Sequence, residues 1–261
     1  MTEYKTIQCD WTEPIATVTL KRPDALNAIN AAMLDELQNA FQRLTSAPAI
    51  RVILLTGAGE RAFAAGADIR ELLNTNADTG AELARHGQEI FASIERGGKP
   101  VIACINGFAF GGGLELAMAC TLRIASEKAQ LGLPEAKLGL IPGFGGLQRL
   151  VRLAGRGSAL RMMLTGQPIT APEALRIGLV QEVITPTDLM QRAREVAEQI
   201  AQLSPLALAG ILEAVQRQEN AQGDEGFLIE AEIFGRLCGT ADKSEGLSAF
   251  LEKRPPAWRA Q

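Results

Sequence analysis

Hydrophobic and polar residues alternate near the start of the chain, and the period then changes. Residues 4–9 and 15–20 alternate with a period of two, which predicts two strands joined by a turn at Glu13-Pro14. Between Met33 and Leu44 apolar residues recur every three or four positions, which predicts an amphipathic helix. Asn30 is a suitable N-cap for this helix.

Two nearly continuous apolar runs follow, at residues 51–57 and 101–107. Runs of this kind are typical of strands in a sheet that is covered on both faces. A short apolar helix at 114–120 and a strand at 122–125 come after the second run. This alternation of strands and helices predicts an α/β fold.

Beyond about residue 185 the pattern predicts helices and no further strands. The expected helices are 189–203, 206–219, 226–238 and 243–250. We therefore divide the chain into an α/β core with the active site, residues 1–200, and a helical region, residues 201–261. Such a long helical region with apolar faces is expected to pack on a neighbouring subunit or back on the core.

Composition and charge exclude several classes of function. The chain has 261 residues, a net charge of −4 and a pI near 5.3, which argues against a broad nucleic-acid or membrane-surface footprint. Its four cysteines show no CxxC spacing, and the single histidine, His86, rules out a His-rich metal site. No apolar run approaches the ~18 residues that span a bilayer, and no leader is visible, so we expect a cytoplasmic protein.

The first candidate for chemistry is Glu115, which follows three consecutive glycines, 111–113. Glycines at a helix start are unfavourable in backbone entropy, so something must require them. A phosphate loop would need a Gly-Lys-Ser/Thr ending, which is absent. An oxyanion site using the Gly112 N–H fits better. Alternatively, Glu115 could simply balance the helix dipole, but that leaves the glycines unexplained.

The second candidate is Glu135, which follows Pro134 and precedes the glycine-rich residues 139–146. By itself this is an ordinary helix start. The small residues of 62–69 could likewise be a tight turn in which Asp68 caps the next helix. Two carboxylates behind loops with accessible amides predict acid–base chemistry beside a carbonyl group.

Taken together, these segments resemble the enoyl-CoA hydratase/isomerase (crotonase) superfamily, and within it the short-chain hydratases. The matching segments are residues 22–28 (RPDALNA), 63–68 (FAAGAD), 110–117 (FGGGLELA), 133–135 (LPE), 141–146 (IPGFGG) and 250–254 (FLEKR). The resemblance covers essentially the whole chain in the right order. It implies a crotonase-like spiral of ββα turns, a helical C-terminal trimerisation region, and a homotrimer or dimer of trimers.

The resemblance also implies an activity: reversible hydration of a trans-2-enoyl-CoA to a 3-hydroxyacyl-CoA. It makes Glu115 and Glu135 the catalytic pair and the amides of Ala67 and Gly112 the thioester oxyanion hole. Coenzyme A is part of the substrate, and no further cofactor or metal is expected. The coenzyme A cradle would be Leu26, Ala28, Ala64, Ala65, Gly66, Ala67, Asp68 and Ile69, with phosphate contacts from Lys21, Arg22, Arg70, Lys253 and Arg254.

Three positions depart from the family pattern. Leu147 replaces a common Thr and could reshape the acyl pocket, whereas Thr121 replaces a frequent Asp and is expected to be structural. Asp24 stands where a basic residue is frequent, which removes one expected phosphate contact. We expect residues 71–95 to form the wall of the acyl pocket. This segment is polar in sequence and is predicted to contain a loop around residues 74–79.

Two alternative functions remain open from the sequence. A Δ3,Δ2-enoyl-CoA isomerase needs one proton shuttle and no nucleophilic water, so a single carboxylate would suffice. A non-catalytic or RNA-binding module on the same fold would need a basic stripe. The helix at 31–44 carries Arg43 against Asp35 and Glu36, which does not supply one.

Overall fold

In a computed structural model, residues 4–219 and 221–261 are described, and they form ten strands and ten α-helices. The strands are β1 (Ile7–Thr12), β2 (Ile15–Leu20), β3 (Val52–Gly57), β4 (Ala62–Ala64), β5 (Val101–Ile105), β6 (Phe108–Phe110), β7 (Leu122–Ser126), β8 (Gln130–Gly132), β9 (Ile169–Thr170) and β10 (Glu182–Ile184). The helices are α1 (Ala31–Ser46), α2 (Ile69–Leu72), α3 (Ala77–Glu95), α4 (Gly112–Ala119), α5 (Gly146–Thr165), α6 (Ala171–Arg176), α7 (Leu189–Ala201), α8 (Pro205–Gln218), α9 (Glu225–Cys238) and α10 (Ala241–Glu252).

The larger sheet has six strands in the order β1-β2-β3-β5-β7-β10. β1 and β2 are antiparallel and the other neighbours are parallel. The predicted strand pair and its turn are confirmed, but the predicted start at residue 4 is wrong, because β1 begins at Ile7. Before it, the backbone amides of Lys5 and Thr6 donate to the Glu36 carboxylate instead of to a neighbouring strand.

The two apolar runs form the centre of this sheet. Every residue of β3 and β5 is buried, as expected for strands with both faces covered. One face packs on α7, where Leu189, Ala193 and Ala197 lie among side chains of β3 and β5. The opposite face belongs to the main core, to which α1 contributes Met33, Leu34, Leu37, Ala40, Phe41 and Leu44.

A second sheet, in the order β4-β6-β8-β9, was not predicted from the sequence. Its strands have two or three residues each, too short for a period of two to be recognised. β4, β6 and β8 are parallel, so their carboxyl ends lie at the same edge. Residues 65–68, 111–113 and 133–135, which carry the candidate chemistry, follow these three ends directly.

The helix predictions are confirmed at α1, α4 and α7 to α10, with bounds shifted by a few residues. Asn30 caps α1 by accepting from Met33 N at 3.0 Å. The loop expected around residues 74–79 is wrong from Ala77 onward, because Asn76 and Thr79 form a capping box that starts α3. The predicted boundary between the two regions, at residue 200, falls at the end of α7, a helix that packs on the larger sheet. The division of the chain into these two regions stays a prediction.

Candidate active site

Glycine is required at the start of α4 because the chain segments there are very close. A Cβ built on Gly113 would lie 2.1 Å from the carbonyl oxygen of Ala64, at the end of β4. Gly111 has φ +49°, a conformation that L-residues with side chains rarely adopt. Gly113 therefore lets α4 begin directly against the end of β4, and Gly111 N donates to Gly132 O at the end of β8.

The amides of Ala67 and Gly112, which the sequence assigns to one oxyanion hole, are neighbours in the fold. A Cβ on Gly112 would lie 3.5 Å from Ala67 N. Gly112 is the first residue of α4, so its N–H has no acceptor within the helix. Ala67 lies between two hydrogen bonds to Ile29: Ile29 N donates to Gly66 O, and Asp68 N donates to Ile29 O. Gly66, which precedes Ala67, has φ +115°. Ala67 and Gly112 line the same cavity.

Glu115 is buried, with 1% of its surface exposed, at the inner end of this cavity. Its Oε1 accepts hydrogen bonds from Phe144 N at 2.8 Å and Gly146 N at 2.7 Å. Burial raises the pKa of Glu115 from 4.5 to about 7, and the Glu135 carboxylate adds to the rise. The two amides and Arg149 oppose it. Since the carboxylate bonds to another loop, balancing the α4 dipole does not account for its position.

Glu135 reaches the same cavity from the other side, at the start of a 3₁₀ turn after β8. Its Oε1 lies 2.8 Å from where a Cβ on Gly111 would be, so Gly111 also leaves space for this carboxylate. Its Oε2 is buried and has no hydrogen-bond partner among the described residues. Burial raises the pKa of Glu135. The structure thus brings two carboxyl groups with raised pKa values into one cavity.

Phe144 closes the cavity between the two carboxylate-bearing segments and α3. Its ring packs edge-on against Phe91 at a centroid distance of 5.5 Å. A Cβ on Gly87 would lie 2.3 Å from this ring, and one on Gly112 would lie 3.2 Å from it. The contact of Gly87 with Phe144 was not predicted, because a lone glycine inside a helical stretch does not show what approaches it.

The cavity has a volume of about 550 Å³, and its outer wall is largely apolar. Residues 72–88 supply one side of it, including Leu72, Leu83 and Ala84. The expected position of the pocket wall agrees with this, although the wall is mainly the helix α3 and not a loop. Leu147 also lines the cavity, whereas the Thr121 hydroxyl accepts from Val101 N at 3.1 Å, a structural contact.

The segments assigned to the coenzyme A cradle run side by side. Ala65 N donates to Leu26 O at 3.0 Å, which joins the turn after β2 to the loop after β4. Ala65, Gly66, Ala67 and Ile69 line the cavity, while Ala64 is fully buried behind it. Asp68 caps α2 by accepting from Arg70 N at 3.1 Å. Binding of coenzyme A by these residues stays a prediction.

Two of the cations expected at the phosphates already have partners within the chain. Arg22 donates to Asp68 Oδ2 at 2.8 Å and to Ala28 O, and this pairing lowers the pKa of Asp68. Arg254 is paired with Glu245 and Glu252. Either guanidinium group would have to exchange its partner to bind a phosphate, and these two phosphate contacts stay predictions. Asp24 lies in the 3₁₀ turn Pro23–Ala25 beside Arg22.

The described ranges contain no cluster of three or more His, Cys, Asp or Glu side chains that could hold a metal ion. The expectation that neither a metal nor a separate cofactor is needed stays a prediction. None of the helices in residues 4–219 and 221–261 is long and apolar enough to cross a bilayer.

Parallel strand ends, a pair of adjoining amides, a buried carboxyl group and a partly buried one define a class of acid–base enzyme site. The sequence model of the enoyl-CoA hydratase/isomerase family matches residues 10–261, so the chain belongs to this family. The resemblance seen in the sequence is thereby confirmed.

Within this family, the chain is similar to several proteins that are named as enoyl-CoA hydratases. The chain is 44% identical over 240 residues to the short-chain-enoyl-CoA hydratase of Clostridium acetobutylicum, with 92% of each chain covered. It is 42% identical over 251 residues to the crotonyl-CoA hydratase of Syntrophomonas wolfei, with 96% of each covered. The crystal structure of enoyl-CoA hydratase from Bacillus anthracis matches with a TM-score of 0.95 and 39% identity, covering 98% of this chain and 100% of that one. The predicted crotonase-type α/β fold is confirmed, while trimerisation stays a prediction.

Proposed function

We propose that this protein catalyses the reversible hydration of trans-2-enoyl-CoA thioesters to 3-hydroxyacyl-CoA. The observation that carries the proposal is the placement of Glu115 and Glu135 in one cavity, beside the adjoining amides of Ala67 and Gly112. The family match and the names of the relatives support the substrate class.

In the forward direction the thioester carbonyl would accept hydrogen bonds from the Ala67 and Gly112 amides. Glu115 would take a proton from water while the water oxygen bonds to the β-carbon. The π electrons of the double bond would then form an enolate, whose negative charge lies on the thioester oxygen between the two amides. Removing one such donor typically reduces transition-state stabilisation by about 2.7–4 kcal/mol.

Glu135 would then deliver a proton to the α-carbon and complete the addition. This division of roles follows from the hydrogen bonds of the two carboxyl groups. Glu115 accepts from two N–H donors, which favour its ionised form and suit a base. Glu135 Oε2 is buried and finds no partner in residues 4–219 and 221–261, which favours the protonated form and suits an acid. Because the two groups interact, their titrations belong to the pair.

Isomerisation is the less favoured alternative, because one carboxylate would suffice for it and the site holds two. The two reactions can be separated by incubating the purified protein with crotonyl-CoA and, separately, with a 3-enoyl-CoA in ¹⁸O-labelled water. Hydration places ¹⁸O at C3 of the product, whereas isomerisation of the 3-enoyl substrate introduces none. Absence of label from every product would remove the proposed function.

We further propose coenzyme A binding along the Leu26–Ala28 turn and residues 64–69. The candidate phosphate contacts are Lys21, Arg22, Arg70, Lys253 and Arg254. A homotrimer or dimer of trimers in the cytoplasm is the proposed assembly and location. Large apolar side chains on the helical region support self-association, since Leu228 is 70% exposed and Phe234 69%. Unpaired cysteines support a reducing compartment.

A further inference from the structure

Behind the catalytic pair lies a partly buried ion pair, Arg149 with Glu95, that the mechanism above does not use. Arg149, in the first turn of α5, is 8% exposed. Its Nη2 donates to Glu95 Oε2 at 2.8 Å and its Nε lies 3.2 Å from the same oxygen. A third donor, Nη1, binds the carbonyl oxygen of Phe144 at 3.0 Å. The guanidinium thus joins the end of α3 to the loop that precedes α5.

The same loop holds Glu115 from its other side. Phe144 offers its carbonyl to Arg149 and its N–H to Glu115 Oε1, and Gly146 supplies the second N–H. Gly145, between them, has φ +98°, and a Cβ there would lie 2.5 Å from Arg149 Nη1. This loop conformation and the guanidinium position therefore depend on each other.

The backbone at Glu95 is tied to α8, because its carbonyl oxygen accepts from the Gln216 side-chain amide. Charged groups of two packed elements act on Glu115. Glu135, on the 3₁₀ turn after β8, raises the Glu115 pKa, and Arg149, on α5, lowers it. Glu95, on α3, lies behind the guanidinium. Within α4 itself, Glu115 is the one ionisable side chain.

We propose that Arg149, held by Glu95, is a positioning residue for hydration: it fixes residues 144–146 so that their amides orient Glu115. The proposal rests on the function proposed above. Arg149 can act in two ways: the planar guanidinium sets the loop geometry, and its positive charge acts on the Glu115 carboxylate. Lysine retains the charge without the fork, and methionine retains neither.

The test compares Arg149→Lys and Arg149→Met with wild type, using pH profiles of kcat/KM and separate values of kcat and KM. We expect kcat to fall roughly 10²-fold in both variants, as for a slightly misplaced catalytic group, with KM little changed. The acidic limb should move to higher pH in Arg149→Met and stay near the wild-type position in Arg149→Lys. Arg152→Met is the control: it removes an exposed charge of α5 that pairs with Glu219 at the end of α8, and it should leave kcat and the acidic limb unchanged.

Unaltered profiles in Arg149→Met, or the same changes in Arg152→Met, would overturn the positioning role. A second readout needs no activity: the pH dependence of the free energy of unfolding, compared with and without Glu115→Gln, locates the Glu115 titration. In the Arg149→Lys background this titration should stay near its wild-type pH, and in Arg149→Met it should move upward. If wild type hydrates no enoyl-CoA but the Glu115 titration moves in Arg149→Met, the proposed function fails and the coupling of Arg149 to Glu115 stands. If the Glu115 titration does not move in Arg149→Met, the coupling is overturned as well.

Discussion

Glu115 and Gly146 lie so close together that glycine is the residue that fits at position 146. The Gly146 N–H donates to Glu115 Oε1 at 2.7 Å, and a Cβ on Gly146 would lie 2.7 Å from Glu115 Cγ. The first residue of α5 is therefore both a donor to the proposed base and a limit on its position. This contact joins two glycine-rich segments that are 31 positions apart in sequence.

Gly146→Ala should displace Glu115 and lower kcat for hydration by roughly 10²-fold, because a slight misplacement of a catalytic group has that effect. Gly157→Ala is the matched control. Gly157 is exposed in the part of α5 that follows a kink at Gly155, and a Cβ there meets no atom of the described residues within 4 Å. We expect the control to keep full activity and to gain about 0.5–1 kcal/mol in free energy of unfolding. Equal activity in both variants would contradict the steric role of Gly146.

Glu115→Gln and Glu135→Gln should each reduce kcat by roughly 10²–10⁴-fold, the range for loss of general acid–base catalysis. Both proteins should fold and bind coenzyme A as wild type does, since the amide side chains have nearly the same shape. Steady-state kinetics and ligand titration measure the two effects. Glu198→Gln, on the exposed side of α7, controls for charge removal. A variant that keeps more than about a tenth of kcat would remove its residue from the pair.

Stability should fall between about pH 4.5 and pH 7, because the Glu115 pKa is raised in the folded state. In this window the folded protein binds more protons than the unfolded chain, so rising pH favours unfolding. Glu115→Gln removes this dependence. Relative to wild type it should gain on the order of 3 kcal/mol from pH 4 to pH 8, at about 1.4 kcal/mol for each pKa unit.

Denaturant titrations of both proteins at several pH values measure this gain. Glu135 has a raised pKa as well and should leave a smaller slope in the Glu115→Gln protein. If the difference between the two proteins were the same at every pH, Glu115 would titrate normally in the fold.

Gly112→Pro tests the oxyanion amide, because it deletes one N–H and leaves the helix start compatible with its backbone. Turnover should be abolished. Gly112→Ala is the control, since it places a Cβ equally close to the Phe144 ring, 3.2 Å away, and keeps the N–H. We expect the alanine variant to retain measurable hydration. A folded proline variant with near-normal kcat would take this amide out of the mechanism.

The helical region should mediate self-association, but through fewer side chains than the sequence indicated. Five apolar residues recur at helical spacing in this region and are expected from the sequence to lie at an interface: Leu228, Ile229, Ile233, Phe234 and Leu237. Ile229 and Ile233 are buried within the chain, and Leu237 lies against Gly210 of α8. Leu228 and Phe234 remain exposed. Sedimentation at micromolar concentration should give a mass of three or six chains, and Leu228→Glu with Phe234→Glu should lower it. Glu230→Gln, on the same helix, should not. A wild-type mass of one chain would contradict the prediction.

Much of the fold was predictable because hydrophobic periodicity is a local property. The long buried strands β3 and β5 and the amphipathic α1 carry that signal within a few turns of chain. The short strands β4, β6 and β8 do not, since three residues cannot show a period. The sequence motifs nevertheless marked the loops after them, because close backbone approach demands glycine at Gly111 and Gly113.

The sequence by itself determined the residue types at the site: two carboxyl groups, the glycines behind them and a family pattern over the whole chain. Tertiary structure decided which groups meet. It directed Glu115 to the amides of residues 144 and 146, placed Arg149 between that loop and Glu95, and paired Arg22 with Asp68. These relationships depend on distances between segments remote in sequence, which packing of the two sheets and α3 sets and which no local pattern encodes.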